Sequence, residues 1–171
     1  WPQMIGYARA KHYLFTGDRQ FLRTTAYPLL KGAAEFFLDF LILDAQGRLV
    51  TAPSVSPENS YRLPDGQTAR LCAGPTMDNQ ILAELFAAAL EAGEQADADE
   101  PLRQRIRAAR ARLPQTRIGP DGRIAEWLED HKEVDRHHRH ISHLFALFPG
   151  TGITPERTPE LAAAARRDAR R

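Results

Sequence analysis

Between Arg19 and about Leu43 the apolar residues Phe21, Leu22, Leu29, Leu30, Ala33, Phe36, Phe37, Phe40 and Leu41 recur at three- and four-residue spacing. That repeat gathers side chains onto one stripe of an α-helix, so a long amphipathic helix is predicted here. Pro28 interrupts it. A proline has no N–H to give and its ring crowds the carbonyl one turn back, so the helix must kink or split at that point. Upstream, Ile5, Ala8, His12 and Phe15 form a shorter stripe over 4–15, closed by Thr16-Gly17-Asp18, with Gly17 supplying a left-handed turn. Downstream, Thr76 reads as the N-cap of a helix running to about Glu94, and a second helix is predicted over 101–113. Thr158-Pro159-Glu160 opens a last helix with an N-cap and a proline at the first position.

The segments between helices are uneven. Leu49-Val50 reads as a short strand, 61–73 with its Pro64-Asp65-Gly66 as a long polar insertion, and 117–124 as a tight turn flanked by strand-like stretches. Helix, loop, helix is thus the rhythm of the chain. Long helices joined by uneven loops pair as antiparallel hairpins, and hairpins close into a toroid whose loops gather at one end. The fold predicted is all-α, with residues 1–171 as part of one (α/α)6 helical-toroid domain, truncated at both ends.

Composition narrows the function more than the fold. The 171 residues are 43% hydrophobic and 26% charged, ordinary for a domain with a real core. Lys and Arg total 23 against 22 acidic residues, so no strong field favours nucleic acid or an anionic membrane. Cys72 is the single cysteine and cannot form an internal disulfide. No apolar run reaches the roughly 20 residues that span a bilayer, so the chain carries no membrane segment of its own. It begins at Trp1 and ends inside what reads as an unfinished helix, which leads us to expect a piece of a longer polypeptide.

Two polar clusters carry the candidate chemistry. Thr51-Ala52-Pro53-Ser54-Val55-Ser56-Pro57-Glu58-Asn59 mounts one carboxylate on a proline-bracketed loop. His137-His138-Arg139-His140-Ile141-Ser142-His143 then runs straight into Leu144-Phe145-Ala146-Leu147-Phe148. A lone glutamate with an Arg/His cluster suits a polyhydroxylated substrate, though composition alone does not decide it. Each residue also has a plainer reading. Arg139 and His140 can pair with Glu126, Glu129 or Asp130 as a structural ion network. Trp127 can stack on a sugar face or sit in the core between Ala125 and Leu128. Asp78 lies at a helix start, where a carboxylate is favoured anyway. Asn59 either orients Glu58 or closes the turn. If Ser56 caps a helical turn with Pro57 first, the helix dipole favours the charged form of Glu58. His143, three residues past His140 on a shared helical face, is expected to cap or pack. The histidines lack the thiolate pair or H-E-x-x-H spacing of a zinc site.

Several blocks in order carry a family resemblance. They are Tyr13-Leu14-Phe15-Thr16-Gly17-Asp18, Ala26-Tyr27-Pro28-Leu29-Leu30-Lys31-Gly32-Ala33-Ala34-Glu35-Phe36-Phe37, the Thr51 to Asn59 loop, Gly74-Pro75-Thr76-Met77-Asp78, Glu126-Trp127-Leu128-Glu129-Asp130, and His138-Arg139-His140-Ile141-Ser142-His143-Leu144. Together they resemble glycoside hydrolase family 95. The resemblance implies an α-L-fucosidase catalytic domain that removes terminal α-1,2-linked fucose, and in some members α-L-galactose, with inversion. It implies that Glu58 is the general acid and that Arg139 and His140 hold fucose hydroxyls. Asn59, Trp127 and Asp78 complete the candidate substrate-binding set. The general base has no counterpart in this chain, so these residues alone are expected to show no turnover. No metal or other cofactor is implied; the partner is a fucosylated glycan, and the compartment suggested is bacterial secreted or periplasmic. Two other readings stay open: another helical-toroid carbohydrate enzyme, such as a glucoamylase-like hydrolase or a disaccharide phosphorylase, and a non-catalytic helical module.

Overall fold

The computed structural model describes residues 12–97 and 100–169. They divide into two compact units. The first holds the described residues through Leu49 together with 81–113, and the second holds 50–80 and 114 onward.

The first unit is helical, as the spacing predicts. Residues 12–16 end a helix at Gly17, whose φ of 68° is left-handed and whose N–H donates to the Tyr13 carbonyl at 2.8 Å. Residues 4–11 of the predicted first helix lie outside the described residues. Asp18 then caps the next helix by accepting from the Phe21 N–H at 2.9 Å. That helix runs as an α-turn Arg19–Phe21, a π-helical turn Leu22–Ala26 and an α-helix Tyr27–Phe40. Pro28 therefore neither breaks nor sharply ends it. The wider turn, with the Tyr27 N–H reaching back to the Leu22 carbonyl, makes room for a ring that would collide with the carbonyl of Thr24. Leu30, Ala34 and Phe37 from this helix pack with Leu82, Leu85, Phe86 and Ala89 from the helix Thr76–Gln95, and with Leu102, Ile106 and Ala109 from the helix Glu100–Arg110. Apolar burial on this scale is the dominant favourable contribution to folding. No described helix is long and apolar enough to cross a membrane.

The second unit departs from an all-α reading. Its described helices are the first turn of Thr76–Gln95, a 3-10 turn Ser142–Leu144 and the helix Pro159–Asp168; the rest is turns and two-residue strands. The 61–73 stretch is no free insertion. Tyr61–Arg62 pairs antiparallel with Thr68–Ala69 on one side and with Lys132–Glu133 on the other, and Leu71–Cys72 pairs with Ser54–Val55. The Pro64-Asp65-Gly66 turn closes the hairpin, the Leu63 N–H donating to the Gln67 carbonyl at 2.8 Å. The predicted turn over 117–124 is present, with Ile118 bridged to Ile124 and Gly122 at a φ of 77°. A small core of Ile124, Leu144, Ala146, Ile153, Ala162, Ala164 and Ala165 lies beneath these loops.

Two predicted N-caps are replaced by other bonds. The Thr76 hydroxyl donates to the Ala125 carbonyl at 2.6 Å instead of capping its own helix, and Thr158 spends its oxygen on the Thr154 N–H at 2.9 Å. Just before the first of these helices, Gly74 has a φ of 52° and its N–H donates to the Thr51 carbonyl at 2.8 Å, fixing the loop that leads to Glu58. A Cβ at this position would stand 2.9 Å from Leu128 Cδ1 and 3.0 Å from Val50 Cγ1. Gly74→Ala is therefore expected to destabilise the full-length protein by about 1–3 kcal/mol, combining left-handed strain with overpacking. Chemical denaturation checks this, and an unchanged midpoint would refute it.

Candidate active site

Glu58 owes its position to a turn rather than a helix. The Asn59 N–H donates to the Ser56 carbonyl at 3.1 Å, Pro57 occupies the second position, and Glu58 takes the third with a φ of 54°. Such turns demand positive φ at that place, where glycine is the easy choice and any other L-residue costs about 1–2 kcal/mol. Paired strands on both sides, Ser54–Val55 before and Tyr61–Arg62 after, hold the turn in this conformation. Because Ser56 starts no helix, the dipole contribution expected from the sequence does not arise. Strain of this kind clusters at functional sites, which makes Glu58 a candidate for one.

Across 81 residues of sequence, Arg139 Nη2 forms a hydrogen-bonded ion pair with Glu58 Oε2. His140 Nε2 lies 3.4 Å from the same oxygen and accepts from Arg139 Nε at 3.2 Å. The three residues singled out from the sequence thus meet at one carboxylate oxygen. They line or border an open hollow of about 570 Å³ formed by Glu58, Arg70, Asp135, His137, His138 and Arg139. Both partners of this pair are open to solvent, the Glu58 side chain 60% exposed and that of Arg139 71%. Arg139 does not join the acidic residues nearer in sequence. Asp130 binds Arg117 at 2.7 Å, Glu129 lies 3.7 Å from His131, and Glu126 turns inward.

The remaining predicted residues are placed in supporting positions. Asn59 is buried, its Oδ1 accepting from the Ser60 N–H at 2.8 Å while its amide lies beside Glu126, so it closes the turn and does not touch Glu58. Asp78 Oδ2 accepts from the hydroxyls of Thr51 at 2.7 Å and Ser54 at 2.6 Å, tying both ends of the loop that precedes the turn. Trp127 is 4% exposed and packs edge-on against Tyr61, which stacks on His131 at 3.9 Å. Its ring belongs to the core. His140 and His143 share no helical face either, because helical backbone begins only at Ser142.

A buried charged cluster joins residues that the sequence analysis took singly. His143 is fully buried, with Nδ1 at 3.0 Å from Glu126 Oε2 and Nε2 at 3.2 Å from Asp168 Oδ1. Ser56 donates to the other Glu126 oxygen at 2.6 Å, and the Ile124 N–H donates to Asp168 Oδ2 at 3.0 Å. Arg123 completes the set, 3.7 Å from Asp168. Burial by itself disfavours the imidazolium, but the carboxylates of Asp168 and Glu126 outweigh it and the His143 pKa is pushed up to about 9. Burial likewise opposes the charged form of Glu126; His143, Ser56 and Asn59 overcome it and hold the carboxyl below its ordinary value. Arg123 also pairs with Asp121 at 2.6 Å and Glu133 at 3.4 Å, so it links this cluster to carboxylates nearer the surface. One signal was legible: Asp168 falls three residues after Ala165 and four after Ala164, on the apolar stripe of its helix, where a charge needs a partner.

Comparison with known proteins adds independent findings. The model of the glycosyl hydrolase family 95 catalytic domain matches residues 7–171. Alpha-L-fucosidase 2 of Arabidopsis thaliana is 46% identical over 155 residues, covering 90% of this chain and 18% of that protein. Probable alpha-fucosidase A of Aspergillus niger is 35% identical over 144 residues, covering 81% of this chain and again 18% of the relative. The chain thus spans about a fifth of the length of the curated relatives it matches.

Proposed function

The chain belongs to the glycosyl hydrolase family 95 catalytic-domain family, and from that premise we propose that it forms part of a toroidal α-L-fucosidase catalytic domain. In this reading the substrate is a glycan ending in α-1,2-linked L-fucose, or in L-galactose, cleaved with inversion. Glu58 is the general acid that protonates the departing glycosidic oxygen. Arg139 and His140 hold the sugar hydroxyls. An inverting pair of carboxyls stands about 6.5–9.5 Å apart with water between acid-bearing and base-bearing sides of the sugar, and the base is supplied from elsewhere in the longer protein.

The observation that carries this reading is the meeting of Glu58, Arg139 and His140 at the edge of an open hollow, with Glu58 on a turn at positive φ. The exposure of Glu58 shapes the mechanism. Arg139 faces the carboxylate. A bound fucoside would engage Arg139 and His140 through its hydroxyls and leave the Glu58 carboxyl to face the glycosidic oxygen. The relatives named as fucosidases support fucose over glucose as the sugar.

The test is hydrolysis of an α-1,2-fucosylated oligosaccharide by the full-length protein, followed by NMR. The first-formed anomer is expected to be β-L-fucose. Appearance of the α anomer first would overturn inversion, and no release of fucose would overturn the substrate assignment.

A further inference from the structure

Two loops bring the site together, and both are anchored to the same buried ion pair. Ser56 lies two residues before Glu58, and its hydroxyl donates to Glu126 Oε1 at 2.6 Å. His143 lies three residues after His140, and its Nδ1 is 3.0 Å from Glu126 Oε2. One carboxylate thus holds the turn that carries the acid with one oxygen and the segment that carries the hydroxyl-binding residues with the other. The far ends of this strut are themselves fixed. Asp168 grips the opposite imidazole nitrogen at 3.2 Å, and Gln80 binds the His143 carbonyl at 2.9 Å and the Ala146 N–H at 2.9 Å. Thr76 N–H donates to the Glu126 carbonyl at 3.0 Å.

We infer that Glu126 and His143 are positioning residues, setting the distance between Glu58 and the Arg139–His140 pair through the loops at Ser56 and Ser142. The inference rests on the reading of Glu58 as the acid. Packing alone would resist loss of either loop from the core, but it would not fix their mutual register. A strut with one carboxylate shared between both loops does, because the Ser56 hydrogen bond weakens steeply with angle and distance and the His143 side is a close, buried ion pair. Misplacement of a catalytic group by about 1 Å costs on the order of 10²-fold in rate.

A leaving-group comparison in the full-length protein separates positioning from mere stability. The rate of an α-1,2-fucosylated oligosaccharide depends on protonation of a poor leaving group, whereas α-L-fucosyl fluoride departs with little help from an acid. The kcat/KM ratio of oligosaccharide to fluoride therefore reports the acid's placement, while partial unfolding lowers both rates alike. Glu58→Gln sets the reference drop in that ratio. Glu126→Gln and Ser56→Ala are each expected to lower the ratio by about tenfold, in the same direction as the reference and to a smaller extent. Should Glu126→Gln fail to fold, Ser56→Ala, which removes a single hydroxyl, carries the test. An unchanged ratio in the folded variants, beside a collapsed one in Glu58→Gln, would overturn the inference alone. An unchanged ratio in Glu58→Gln itself would sink the acid assignment, and this inference with it.

Discussion

Glu58→Gln in the full-length protein is expected to lower kcat on an α-1,2-fucosylated oligosaccharide by about 10²–10⁴-fold, the usual contribution of a positioned general acid. Its KM should move by less than about threefold, since an interaction needed only in the transition state leaves ground-state binding nearly intact. Glutamine suits the test because it keeps the shape of the side chain and an acceptor for Arg139, while it has no proton to give. The φ of 54° at this position is equally strained for either residue, so the backbone cost cancels in the comparison. Steady-state kinetics with the two proteins measured side by side decide it. A loss below about fivefold would remove Glu58 from the role and leave the Arg139 pair as a surface ion pair of small worth.

The second large effect concerns stability. His143→Ala is expected to cost about 3–5 kcal/mol, because it strips the buried carboxylates of Glu126 and Asp168 of the cation between them. Hydrogen exchange in the full-length protein reads this locally, and peptides covering 124–146 should lose protection by at least about 10²-fold. A change under about fivefold would show that the surrounding groups compensate. The same cluster dictates a pH dependence. The His143 pKa lies at about 9 in the folded protein against an ordinary 6.5, so its contribution of about 3 kcal/mol is complete below pH 6.5 and is lost as pH rises through 9. Glu126 works in the opposite sense: its lowered pKa contributes stability above 4.5 that is lost as pH falls through the folded value. These are two sides of one interaction and do not add. Protection of the 124–146 region should accordingly be greatest near pH 5–6 and fall towards pH 9 and above, once the intrinsic rise of exchange with pH is divided out.

The parts of the molecule that were legible in its sequence are those with a long repeat. Leu30, Ala34 and Phe37 mark a buried stripe because several turns of helix share it. Strands such as Tyr61–Arg62 and Leu71–Cys72 span two residues each, too few for any alternation to register, and their partners Lys132–Glu133 and Ser54–Val55 lie far off in sequence. Thr76 and Thr158 have the residue type and place of N-caps, yet the hydroxyl of the first goes to the distant Ala125 carbonyl and that of the second to the local Thr154 N–H. At the site, Glu58, Arg139 and His140 were legible from their motifs. The left-handed turn was hidden, since a glutamate rather than a glycine occupies it. Glu126 and His143 were read singly, as a possible ion partner and as a packing residue; their pairing with each other, with Ser56 and with Asp168 was hidden because these residues lie far apart in sequence.

Screening by dissolved ions acts very differently on the two layers of this site. The Glu58–Arg139 pair lies in water, within reach of a counterion atmosphere about 8 Å deep at physiological ionic strength. The ion pairs of His143 with Glu126 and Asp168 are closed to solvent, so mobile salt has no access to them. Ionic strength can therefore loosen the grip of arginine on glutamate without disturbing the frame that holds them at their spacing.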